Sequence, residues 1–390
     1  MEEILTLLKS NFESLEKDFY IMQNKKYRNA VLWHVPSLSV YALDYLTTEL
    51  FISLIKVNSK NEIENWFNQN KSRVLDLKEE IEFMLNYKQD IEEDSLGIFR
   101  LCLLVSQQCN LNCVYCYANG GTYGKPSFMN SETSYKAIEM FSRMYNSIYD
   151  IQFLGGEPLL NLDVIEETID FIDDLVIQGK LIKKPQISIE SGLAVSHEQM
   201  KRFLNLLEEH PDICVVVSCD GPKEIQDMLR KYKDGSPSFD IVSKNLDLLR
   251  EYNQPKSVQV TYTRVHQSKE MSPSDIRSYF KERFKISNIM MSDVMSRDSS
   301  IIVDKADKDY LQSRYSIEEI LKRHPTSSFC RMGASSFTVD TQGHIYPCQI
   351  LMGIDKFELG NVHDEIEKRK EKFLELSKFY ANRADKSKYK

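Results

Sequence analysis

The sequence has no stretch approaching the roughly 18 consecutive apolar residues of a membrane span, which speaks against a helical membrane protein. Its opening, MEEILTLLKSNFESLEKDF, lacks the basic start and long apolar run of a secretory signal. Positive charge is not in excess: 50 Lys and Arg against 58 Asp and Glu give a formal net charge of −8. Phosphate backbones call for clustered cations, so the composition gives no footing for a nucleic-acid partner. The Lys-rich C-terminal stretch reads as a solvated helix face and a frayed tail. Internal repeats and low-complexity runs are missing too. The expectation is a cytoplasmic protein without a membrane or nucleic-acid partner. In a reducing compartment its 8 cysteines read as metal-binding or catalytic before they read as disulfides.

What is present suits a soluble globular chain of two or three domains: 390 residues, 42% hydrophobic and 28% charged. Residues 1–95 read as a small α+β domain. They give a helix-like opening, two short strands around Pro36-Ser37, and then helical periodicity. Between 96 and 300, apolar strand candidates at 98–106, 150–155, 186–191, 214–220, 257–263 and 287–293 interleave with helical stretches. The helical stretches lie at 131–147, 163–178, 196–209, 239–252 and 273–284, with another at 307–323. This alternation predicts an α/β fold of parallel β/α units curling into a partial (β/α)6 barrel, with its chemistry at the C-terminal strand ends. From 301 to 390 the alternation stops. A hairpin is expected there, SSFTVD and HIYPC around Thr341-Gln342-Gly343.

Directly after the first barrel strand comes SQQCNLNCVYCYANGG, with Cys109, Cys113 and Cys116 in the spacing C-x3-C-x2-C. Three thiolates on one short loop can hold three irons of a [4Fe–4S] cube and leave the fourth without a protein ligand. An open metal position marks a catalytic site rather than a structural one. Structural zinc would need a fourth ligand, and the next His along the chain is His197. Cys102, Cys214 and Cys219 lie in strands and read as small core residues.

This spacing, with an aromatic residue (Tyr115) before the last Cys, resembles the signature of the radical S-adenosylmethionine enzymes. The resemblance implies a cluster whose unique iron binds the amino and carboxylate groups of S-adenosylmethionine. One electron then cleaves the sulfonium, and the 5′-deoxyadenosyl radical so released abstracts a hydrogen atom from an unactivated C–H bond. Gly155-Gly156-Glu157, ending the second strand, resembles the family motif that binds the methionine amino group. Glu190-Ser191-Gly192 stands where many relatives carry Thr-Asn-Gly, which places Glu190 and Ser191 near the ribose. The segment from Ser218 through Asp220 to Arg230 resembles one found in radical enzymes acting on peptides and proteins. It nominates those three side chains for cofactor contacts or substrate positioning.

Cys330 and Cys348, spaced C-x12-G-x4-C with Gly343 in the turn, resemble the first half of a SPASM domain, an auxiliary iron–sulfur module of peptide maturases. Complete modules continue with further cysteines, and none follows Cys348 here. Two thiolates cannot fill a four-ligand site. The expectation is an incomplete SPASM-like domain at 301–390: a truncated module or one that has lost its cluster, ahead of substitute ligands His344, His363 or Asp364. FELGNVHDEI (357–366) continues the resemblance, and residues 1–95 resemble small leader-peptide recognition domains. The resemblance implies a maturase of a ribosomally made precursor peptide, forming a thioether or other crosslink, with flavodoxin or ferredoxin as electron donor. A sulfatase-maturase-like formylglycine-forming enzyme is the alternative, and a non-enzymatic Fe–S or peptide-binding protein is the alternative of another class.

Overall fold

The computed structural model describes residues 2–10, 12, 19–24, 29–34, 39–43, 45–78, 81–82, 97–294, 296, 298–304, 333, 335–365, 373 and 375. The Pro36-Ser37 turn, the 307–323 stretch and Cys330 lie outside them. The chain divides into two compact units, one within residues 1–95 and the other built on the following β/α region.

In the first unit, strands β1 (Phe19–Asn24), β2 (Asn29–His34) and β3 (Ser39–Leu43) form an antiparallel sheet in that order. Helices α1 (Glu2–Ser10), α2 (Tyr45–Ile55) and α3 (Lys60–Asp76) complete it. Ile4, Leu8, Phe19, Leu32, Leu54, Ile63 and Phe67 share one buried cluster. Helix α3 starts where the Ser59 side chain accepts from the Glu62 amide, an N-cap that satisfies one of the free helix-end donors.

The second unit carries a nine-stranded sheet. Strands β4 (Gly97–Ser106), β5 (Ser147–Gly155), β6 (Gln186–Ser191), β7 (Cys214–Ser218), β8 (Ser257–Tyr262) and β9 (Ile289–Asp293) run parallel in chain order. The crossovers are α4 (Ser131–Met144), α5 (Leu162–Ile177), α6 (His197–Glu209), α7 (Lys223–Leu229) with α8 (Phe239–Glu251), and α9 (Arg264–Ser268) with α10 (Pro273–Phe284). Strand β10 (Ser336–Val339) pairs parallel with β4, and β11 (His344–Tyr346) and β12 (Gly360–Asn361) extend the sheet antiparallel beyond it. The hairpin expected around Gly343 thus forms, and it joins the same sheet as the parallel strands.

Alternation along the strands sorts the side chains onto two faces. Leu101, Leu103, Val105, Ile151, Phe153, Ile187, Ile189, Val215 and Val217 pack with the helices in one large core. The alternate positions carry a separate apolar patch (Cys102, Leu104, Leu154) and a polar set. Arg100 pairs with Asp150 at 2.6 Å, and Asp150 also accepts from Ser188 at 2.8 Å. Polar groups are tolerated on this face because they satisfy one another. The register of β4 against β5 shifts between Leu104 and Ser106, a bulge directly before the cysteine loop. Among the described residues, no helix is long and apolar enough to cross a membrane.

Candidate active site

The cysteine loop leaves β4 and is tied down on two sides. On one side the Gly156 amide donates to Ser106 O (2.7 Å) and the Glu157 amide to Gln108 O (2.8 Å). On the other, the Asn112 amide donates to Lys231 O (2.7 Å), and the Val114 amide to Leu229 O (2.9 Å). Backbone meets backbone at all four of these bonds, and at Gly155 and Gly156 glycine makes this geometry feasible. A Cβ on Gly155 would stand 2.2 Å from Ser106 O, and one on Gly156 would stand 2.4 Å from Gln108 O. Gly121, to which no motif points in the sequence, is equally constrained. Its φ is +82°, and a Cβ there would lie 2.5 Å from Gly156 Cα and 2.7 Å from Cys109 Cβ.

Cys109, Cys113 and Cys116 are free and half-buried. Burial, reinforced by Glu157, pushes the Cys109 thiol up to about 12, and burial raises Cys113 as well. Without metal the Cys109 thiol holds its proton, and iron binding there would have to release it. Among the described residues, no three His, Cys, Asp or Glu side chains gather tightly enough to hold a single metal ion. A cube makes a different demand, one thiolate per iron.

The other predicted side chains fall into three bonded sets. In the first, the buried Glu157 carboxylate accepts from Ser191 Oγ (2.7 Å), the Gly192 amide (3.0 Å) and the Leu159 amide (3.2 Å). Burial raises its pKa, and these donors with Arg230 oppose the rise. In the second, the Tyr115 hydroxyl donates to Asp220 Oδ2 and accepts from Arg230 Nη1 at 2.7 Å. Asp220 Oδ1 in turn accepts from the Thr261 amide at 3.0 Å. A Cβ on Gly192 would lie 3.3 Å from Arg230 Nη2 and 3.5 Å from Glu157 Oε2, so the two sets meet across this glycine. Arg230 Nε and Asn110 Oδ1 are shielded from solvent with no protein partner. In the third set, Glu190 accepts from Ser218 Oγ (3.3 Å) and Gln152 Nε2 (3.5 Å) on the face of the sheet opposite the main core. Burial raises its pKa also.

Cys102 and Cys219 are buried as expected, and Cys214 is half-buried. Cys102 lies in the separate apolar patch with Leu104 and Leu154 rather than in the main core. Cys348 follows β11, its Sγ 3.4 Å from Gln349 Oε1. His344 pairs with Asp340 at 3.0 Å, while His363 contacts Thr133 Oγ1 (3.1 Å) and Lys136 Nζ (3.2 Å).

His266, which the sequence did not single out, anchors Asp220. Its Nε2 bonds Asp220 O at 2.8 Å, and its Nδ1 accepts from the Thr263 amide at 3.1 Å. Burial lowers its pKa below the ordinary 6.5. The unfolded chain then binds this proton more readily than the folded one. The stabilising contribution is intact above 6.5 and is lost as pH falls through the depressed folded value. The melting temperature of the metal-free protein should therefore drop as pH falls below 6.5. In His266→Gln that drop should flatten; an unchanged slope would remove His266 from this account.

The radical SAM superfamily model matches residues 103–281, which run from β4 into α10 and take in all three cysteines. An uncharacterized protein of Methanocaldococcus jannaschii is 30% identical over 286 residues, covering 69% of this chain and 90% of that protein. The chain belongs to the radical SAM superfamily. Radical SAM enzymes use a [4Fe–4S] cluster and S-adenosylmethionine, and this chain is such an enzyme. The radical SAM cyclopropyl synthase TigE of Paramaledivibacter caminithermalis is 28% identical over 218 residues, covering 50% of this chain and 39% of TigE. A cysteine-type anaerobic sulfatase-maturating enzyme of Clostridium perfringens is 23% identical over 297 residues, covering 66% of this chain and 76% of that protein. Among solved structures, anSMEcpe with bound AdoMet superposes with a TM-score of 0.59 at 20% identity, over 74% of this chain and 83% of that one. SuiB of Streptococcus suis bound to S-adenosylmethionine gives 0.50 at 15% identity, over 90% of this chain and 86% of SuiB.

The donor set suits this pair of cofactors. Three thiols on one loop leave an iron open, and the shielded, unpartnered Arg230 Nε and Asn110 Oδ1 are polar atoms in want of a ligand.

Proposed function

We propose that this radical SAM enzyme matures a ribosomally made peptide, taking a hydrogen atom from Cα or Cβ of an acceptor residue and joining that carbon to a second group, which gives up its own hydrogen as a proton and an electron. S-adenosylmethionine would be the net two-electron oxidant, leaving as methionine and 5′-deoxyadenosine. A thioether from a peptide Cys is the leading product. The observation that carries the reading is the breadth of the match to SuiB, a structure also solved with its precursor peptide SuiA bound. That match spans 90% of this chain and so takes in more than the barrel.

When bound, the cluster and S-adenosylmethionine supply the radical that takes the hydrogen. The protein's part is placement. We assign Cys109, Cys113 and Cys116 to the three irons. Tyr115, Gly155, Gly156, Glu157, Ser191, Asp220 and Arg230 line the cofactor. Gly155 and Gly156 provide room, while Glu157 offers a buried acceptor for an ammonium group. Arg230, steadied by Tyr115, offers a buried cation for a carboxylate. Glu190 and Ser218, on the face opposite the main core, present an acceptor and a hydroxyl to the ribose or to the substrate. Flavodoxin or ferredoxin supplies the electron. Cys330 and Cys348 belong to an auxiliary module with an incomplete ligand set.

The test is anaerobic co-expression with short peptides encoded beside the gene. Loss of two hydrogens per crosslink, seen by mass spectrometry, is the expected result. Formylglycine formation is the second reading, favoured by the match to sulfatase-maturating enzymes over 66% of this chain. An aldehyde in place of a Cys or Ser side chain would select it. An unmodified peptide, with 5′-deoxyadenosine still formed, would overturn both.

A further inference from the structure

The cysteine loop is fastened from a third side, by the hairpin far along the chain. Gln107, two residues before Cys109, is buried and uses its whole side-chain amide. Its Nε2 donates to Thr122 O (3.3 Å) and Lys125 O (3.2 Å), closing the loop that contains all three cysteines. Its Oε1 accepts from the Thr341 amide (3.1 Å) and the Thr341 hydroxyl (2.6 Å). Thr341 Oγ1 also lies 2.6 Å from Ser127 Oγ, and the Gln107 amide donates to Ser127 O at 2.9 Å.

Thr341 is itself rigidly placed. Asp340 Oδ1 accepts from the Gln342 amide (2.9 Å) and the His344 amide (2.8 Å), which fixes the β10–β11 turn. Gly343 adopts φ +86°, and a Cβ there would lie 2.8 Å from His363 Cδ2. The turn therefore cannot drift independently of the sheet to which β10 is paired.

We propose that Gln107 is a positioning residue for the cluster-binding loop, and that the turn at Thr341 holds Gln107 in place. The hairpin then serves the radical SAM cluster directly, whether or not its own module carries iron. The inference rests on Cys109, Cys113 and Cys116 as iron ligands, and it holds whatever the substrate.

The experiment compares full-length, iron-reconstituted wild type, Thr341→Val, Thr341→Ser and Gln107→Leu. Valine keeps the shape and the backbone donor but removes the hydroxyl, whereas serine restores it. The readouts are the rate of iron release to a chelator and the electron paramagnetic resonance spectrum of the reduced cluster. Thr341→Val should release iron about tenfold faster, the low end of what outer-shell losses cost, with shifted g-values. Gln107→Leu should be faster still, and Thr341→Ser should match wild type. Iron release from Thr341→Val at the wild-type rate, or equal loss in the Ser and Val variants, would overturn the proposal. Wild type that binds no iron would overturn the ligand assignment as well.

Discussion

Cys113→Ala should yield a folded protein that has lost the cube-type spectrum and cleaves S-adenosylmethionine at least about a thousandfold more slowly. Outer-shell partners typically cost 10–100-fold when removed, and a direct ligand must exceed that. Folding should survive, because Cys113 only edges the main core and its loop has independent anchors at Asn112 and Val114. The change should therefore separate chemistry from stability. The melting temperature of the metal-free protein should move little, while iron content and 5′-deoxyadenosine formation collapse together. Cleavage at the wild-type rate would refute the assignment of Cys113, and with it the reading of the whole loop.

Gly156→Ala should fail in a different way. The added Cβ would stand 2.4 Å from Gln108 O and 2.6 Å from Gln108 C. Both are backbone atoms, so no rotamer change relieves the clash. Either the Gly155-Gly156-Glu157 turn or the cysteine loop must move, at a cost of about 3 kcal/mol or more. The expected result is a lower melting temperature even without iron, together with poor reconstitution. Movement of Glu157 would also disturb its bonds to Ser191 and Gly192, so weaker cofactor binding should follow in whatever fraction retains the cluster. A variant that melts and reconstitutes like wild type would show that the loop yields without penalty.

The parallel strands β4 and β5 were legible because most of their length is buried on both faces. Runs such as LCLLV in β4 then read as apolar without a competing helical period. The cysteine loop was legible because its three cysteines lie close together in sequence. The strand Phe19–Asn24 is not legible, since FYIMQN offers no clean alternation. The start of α3 is obscure as well, for its apolar positions are few beside its polar ones. At the site, Glu157 and the glycines could be placed by motif, but their partners could not. The motif nominates Arg230, but only the structure shows Tyr115 beside it, 105 and 115 positions away from Asp220 and Arg230 in sequence. Thr341 and Gln107 stand 234 positions apart, and nothing local to either residue announces the other.

The division of each strand into two faces has a consequence for how such an enzyme diversifies. The residues that hold the helices to the sheet are one set, and those on its opposite face, Arg100, Gln152, Glu190 and Ser218 among them, are another. A lineage can thus rewrite the second set position by position while the first stays fixed. Descendants with new targets inherit a scaffold that still folds.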